Sequence, residues 1–225
     1  MFVGHYGPSF AIKAMRPSIP LWLLFIAVQL VDVAWAVLVI LGIEKVRIVP
    51  GITASNPLDL YYMPFTHSLV AAVLWAVATV VLCKPCPGVR KWPTAAWVGG
   101  AVFSHWILDF VVHRPDLSLY DDTMKVGLGL WNSVSGTLVV ETGMFVTALV
   151  LYQRGTRPTD AIGKWGYRSF VLALVAIYLA NLVGPPPPSV PALAWVALGL
   201  GLFLLWAAWF DRHRRPVGAA AMERR

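Results

Sequence analysis

Ser104-His105-Trp106-Ile107-Leu108-Asp109 places a histidine and an aspartate four residues apart. On a helix they share one face, with imidazole and carboxylate about 6 Å apart. Both groups suit zinc or manganese, so the spacing is that of a metal-ligand pair. The plainer alternative is a buried polar pair in which Asp109 accepts the His105 proton. His113 continues the same face one further helical step on. Asp32, His67 and Glu141 also lie inside apolar runs, where an ionisable side chain is expensive and therefore a candidate for function.

The apolar runs follow from composition. Of 225 residues, 58% are hydrophobic and 13% charged, and the mean hydropathy is +0.69. So little charge cannot cover a water-exposed surface, so the expected partner is the lipid bilayer. The formal charge of +7 then reads as membrane orientation, and nucleic-acid binding is excluded.

A hydrocarbon core of about 30 Å needs about 20 apolar residues per helix. Six runs qualify: 20–43, 63–83, 93–113, 126–152, 168–184 and 191–210. The expected fold is an all-α polytopic membrane bundle, one domain over 1–225, with an N-terminal amphipathic or re-entrant helix before the six spans. Residues 211–225 form a basic cytoplasmic tail. Lys13, Arg16 and Ala34-Trp35-Ala36 mimic a signal peptide, but the apolar run continues to Ile43, so the first span reads as uncleaved.

Lys and Arg give the orientation. The N-terminal segment, the 84–92 and 153–168 loops and the C-terminus carry fourteen of the eighteen. The 44–62 and 113–125 loops carry the other four. This bias puts both termini in the cytoplasm.

Depth then tests whether the polar residues meet. At 1.5 Å per residue, Asp32 and His105 lie about 18 Å, and His67 and Asp109 about 24 Å, from the cytoplasmic face. Three helices thus present two His and two Asp in the middle to outer bilayer. His5 joins them at about 16 Å if the segment before Arg16 re-enters the membrane. If that segment lies flat on the surface as an amphipathic helix, His5 stays outside.

Other polar groups have plainer readings. Glu141 and Asn181 either complete a shell or pair structurally, with Glu141 the stronger catalytic candidate. Asp116, Asp121 and Asp122 read as a solvated outer loop. Cys83 and Cys86, in C-K-P-C, read as small residues at a membrane edge.

Four short motifs in order resemble a known family. They are Gly4-His5, Val31-Asp32, Thr66-His67-Ser68 and Ser104-His105 through Asp109. Over about residues 1–120 the chain resembles the bacterial inner-membrane metal-dependent hydrolases described as LexA-binding or LexA-regulated. It departs from their pattern twice. Val31-Asp32-Val33-Ala34 has one carboxylate where the family's Pro-Asp-x-Asp has two. Tyr62-Met63-Pro64-Phe65 stands where the family often has a second histidine. The resemblance implies that His5 belongs to the site, and the departures imply one metal ion where relatives hold two, or a degenerate site.

The expected metal ligands are therefore His5, Asp32, His67, His105 and Asp109, around a divalent metal, zinc. Asp32, Asp109 and Glu141 are the expected catalytic carboxylates. Three protein ligands and an open position would make the zinc catalytic. The expected substrate is a lipid or other amphiphilic ester, such as a phosphoester. A proton- or cation-coupled transporter and a non-catalytic membrane scaffold are the competing classes.

Overall fold

The computed structural model describes residues 2–217. Of the described residues, 63% are helical. Its helices are α1 (Val3–Met15), α2 (Leu21–Ile40), α3 (Leu69–Leu82), α4 (Trp92–Val112), α5 (Val134–Gly155), α6 (Ala161–Val183), α7 (Val190–Gly199) and α8 (Leu202–Asp211). Four short strands pair as two antiparallel ladders, β1 (Lys45–Ile48) with β2 (Leu58–Tyr62), and β3 (Thr156–Pro158) with β4 (Arg214–Pro216). The expectation of a purely helical chain is corrected to that extent. From 218 onward, the expected basic tail lies outside the described residues.

Five helices among the described residues are long and apolar enough to cross a membrane: α2, α4, α5, α6, and α7 with α8 taken together. α3 is apolar but only 14 residues long. It starts late because Ser68 caps it, accepting the Ala71 amide at 3.1 Å. α5 also starts late, capped by Ser133. α6 starts early, because Asp160 accepts the Gly163 amide at 2.9 Å. Large apolar side chains cover the outer faces; Val183 is 82% and Leu82 74% exposed. Such a surface suits hydrocarbon better than water.

α1 is not a surface helix. His5, Tyr6, Phe10 and Ile12 are all buried, and the helix packs against α2, α4 and α5. Phe10 sits among Phe25, Phe145, Tyr152, Tyr167 and Phe170, each edge-on to it. The end of α1 is tied down by charge. Lys13 Nζ lies 2.9 Å from Asp211 of α8, which also accepts the Tyr152 hydroxyl at 3.0 Å.

Loops expected on one side gather at one end. Ser18 bonds Gly88 there, beside the Lys13–Asp211 pair. At the other end, Ser55 bonds the Trp131 carbonyl, and Lys125 donates to the Tyr61 carbonyl at 2.7 Å.

Candidate metal centre

Four elements deliver the polar side chains. α1 supplies His5, α2 supplies Asp32, the turn before α3 supplies His67, and α4 supplies His105 and Asp109. All but Asp32 are almost fully buried; the Asp32 side chain is 34% exposed. The residues expected as metal ligands therefore do come together.

The distances define a closed ring of donor atoms. Asp32 Oδ1 lies 3.4 Å from both His67 Nε2 and His105 Nε2. Asp109 Oδ2 lies 3.6 Å from His67 Nε2 and 3.1 Å from His105 Nε2. Tetrahedral zinc at about 2.0–2.1 Å from N and O ligands would set such edges at about 3.3–3.4 Å.

The other nitrogen of each ring fixes its tautomer. His105 Nδ1 lies 2.7 Å from the Val28 carbonyl, which only accepts, so Nδ1 carries the proton. His105 Nε2, buried, has no hydrogen-bond partner among the described residues. His67 Nδ1 lies 2.7 Å from Thr66 Oγ1. Thr66 in turn donates its hydroxyl proton to Glu44 Oε2 at 2.6 Å. A hydroxyl has one proton, so His67 Nδ1 must donate to Thr66. Each Nε2 thus faces the two carboxylates on a ring whose Nδ1 proton is already engaged. That apposition needs a positive charge, either a cation between Nε2 lone pairs and carboxylates or a second proton on the rings. Imidazoles anchored this way through their second nitrogen are the usual form of metal-binding histidine.

His5 takes a different place. Its Nε2 hydrogen-bonds Asp109 Oδ1 at 3.0 Å, and its ring stacks on His105 with centroids 3.7 Å apart. Two donor groups have the compactness to hold an ion: Asp32, His67 and His105, and His5, His105 and Asp109. They share His105, whose one outward nitrogen serves a single ion at a time.

Glu141 lies outside both groups. Its carboxylate accepts the Phe2 and Gly4 amides at 2.8 and 3.3 Å, capping the first turn of α1. Asn181 is exposed on α6, and both cysteines are free.

The site expected from the sequence left out three groups. His113 Nε2 is 3.6 Å from Asp109 Oδ1, and its Nδ1 is 2.9 Å from Asp116. The H-x-x-x-D-x-x-x-H spacing was the available signal for it. Asp116 is correspondingly not a solvated loop residue; it is buried between His113 and Arg114. Glu44, 1% exposed, left no signal in the sequence beyond an acidic residue ending an apolar run. Asp122, by contrast, is a loop residue paired with Lys125 at 2.8 Å.

No family model matches the chain, and no curated protein or solved structure matches it either.

Proposed function

We propose that this chain is a metal-dependent hydrolase of a bacterial inner membrane, with one zinc ion held by His67, His105 and Asp109, leaving Asp32 to act as the base. One observation carries the reading: two Nε2 atoms, each on a ring whose Nδ1 proton is engaged elsewhere, converge on two carboxylates. Neutral imidazoles with two carboxylates sum to two negative charges, which one divalent cation balances. Two nitrogens and one carboxylate oxygen suit zinc and leave its fourth position for water.

Zinc held there supplies Lewis acidity, acidifying water and polarising a phosphoryl or carbonyl oxygen. The chain's own groups do the rest. Asp32, the exposed member, takes the proton of the attacking water. Asp109 is held on the deep side by the His5 hydrogen bond. His5 stacked on His105 closes that side against solvent.

In this reading α3 and its preceding turn complete six spans. The Lys and Arg bias puts both termini in the cytoplasm. α1 is a half-helix entering from that side, tolerated because it is buried in protein. The site then lies in the middle to outer bilayer, within reach of a lipid or amphiphilic phosphoester. The four ordered motifs favour kinship with the LexA-regulated inner-membrane hydrolases.

The test is metal content by plasma mass spectrometry on protein purified in mild detergent without chelator. One zinc per chain, lost in His67→Ala and His105→Ala while both stay folded, is expected, with phosphoester turnover lost alongside. A folded wild type without metal refutes the reading.

A further inference from the structure

Glu44 follows α2 in the turn that leads into β1, on the loop side of the site, and is buried. Its two oxygens have separate tasks. Oε1 accepts the amides of Phe65 and Thr66 at 2.8 and 3.0 Å. Oε2 accepts the Thr66 hydroxyl at 2.6 Å. The chain of donors then runs in one direction: His67 Nδ1 to Thr66 Oγ1 to Glu44 Oε2. As a carboxylate Glu44 only accepts, and that alone sets the direction.

We propose that Glu44 is the positioning residue of the metal centre: through Thr66 it dictates the His67 tautomer and keeps the lone pair on Nε2, where the ion binds. The assignment rests on the metal-centre reading above. Glu44 itself touches no ion. Its effect is that of an outer partner, which orients a ligand and fixes where its proton sits. The His67 backbone is fixed independently, because Trp106 Nε1 donates to its carbonyl at 3.0 Å. Glu44 thus braces the chain through Oε1 and sets the ring's proton through Oε2 and Thr66.

A purely structural Glu44 would brace the turn before α3 and be indifferent to that proton. Glu44→Gln separates the two roles. Its amide oxygen still accepts the Phe65 and Thr66 amides, because the opposite orientation would set NH2 against two N–H donors. Its NH2 must then face Thr66 Oγ1 and donate to it. Thr66 turns its own proton onto His67 Nδ1, and Nε2 becomes protonated and unable to bind metal. Thr66→Val removes the relay at constant shape, and Thr66→Ser restores it.

The experiment measures zinc affinity by chelator competition and the visible spectrum of the cobalt-substituted protein, using the full chain in detergent. Circular dichroism and size exclusion report folding. Glu44→Gln and Thr66→Val should bind zinc about 10- to 100-fold more weakly, as outer-partner losses do. Their cobalt spectra should show one nitrogen ligand lost, while Thr66→Ser should match wild type. Glu44→Gln binding zinc as wild type does, with an unchanged cobalt spectrum, overturns the assignment and leaves the metal centre standing. A wild type that binds no ion overturns both. If Glu44→Gln does not fold, the contrast between Thr66→Val and Thr66→Ser decides: equal affinities overturn the assignment.

Discussion

His105 donates its Nδ1 proton to the Val28 carbonyl across 2.7 Å, so a backbone oxygen of α2 aims an imidazole on α4. The same α2, one turn further on, carries Asp32, 3.4 Å from the nitrogen left free. One helix thus supplies both the anchor of one side chain of the site and a second side chain of it. Sliding α2 against α4 would disturb both together, so this part of the site belongs to the bundle's packing.

Asp109 and Asp32 should differ on mutation. Asp109 is buried and meets His5, His67, His105 and His113, whereas the Asp32 side chain is 34% exposed. Asp109→Asn should lower zinc affinity beyond the ~10- to 100-fold typical of an outer partner. It should also lower thermal stability, since four imidazoles lose the carboxylate they surround. Asp32→Asn should keep the fold and lose turnover more than metal. Zinc titration, melting curves and phosphoester kinetics on both variants check this, and interchangeable behaviour would contradict it.

Glu141 should act on stability. It satisfies two amides at the start of α1, and an unsatisfied buried donor costs about 1–3 kcal/mol. Glu141→Ala should therefore unfold at lower temperature, while zinc stoichiometry stays at that of the wild type. Turnover abolished in a variant with full zinc and native stability would instead make Glu141 part of the chemistry.

How much of this was legible in the sequence depends on how far each cause lies along the chain. α2 and α4 are written in local hydropathy and were readable within a few residues. His67, His105, Asp32 and Asp109 were legible because ionisable groups in apolar runs are rare and their depths agreed. The start of α3 was not legible. Residues 63–68 read as helix, but the Phe65 and Thr66 amides turn to Glu44, 21 and 22 positions back. Asp116 looked solvated because its partners, His113 and Arg114, close on it only when the chain turns after α4. The early start of α6 was signalled by Asp160, a capping residue that the hydropathy of 153–168 obscured.

Acid should reveal the Asp160 cap. The Gly163 amide, and then His213 at 2.6 Å, hold the Asp160 carboxyl below its ordinary value. A lowered folded pKa stabilises above the unfolded value, and that stability is lost as pH falls through the folded one. Asp160→Asn keeps a capping side chain without the charge. Wild type should thus lose its margin over the variant only below about pH 3.9, the ordinary Asp range. Melting curves from pH 2 to 6 check it, and parallel curves for the two proteins would refute it.

Gly99 and Gly100 are neighbours in α4 with opposite surroundings. A Cβ on Gly99 would lie 2.8 Å from the Ala76 carbonyl oxygen and would also run into the Val80 side chain. A Cβ on Gly100 meets nothing within 4 Å. Glycine at 99 therefore lets α3 and α4 approach, as small residues do between membrane helices. Gly99→Ala should destabilise by about 1–3 kcal/mol through overpacking. Gly100→Ala should stabilise by about 0.4–1 kcal/mol, because alanine narrows the unfolded ensemble and fits a helix. The first change also reaches the metal centre, because His67 leads into α3 while His105 and Asp109 ride on α4. Zinc affinity should thus fall in Gly99→Ala and hold in Gly100→Ala. Equal melting temperatures and equal zinc affinities in the two variants would mean that the α3–α4 contact does not set the distance between His67 and Asp109.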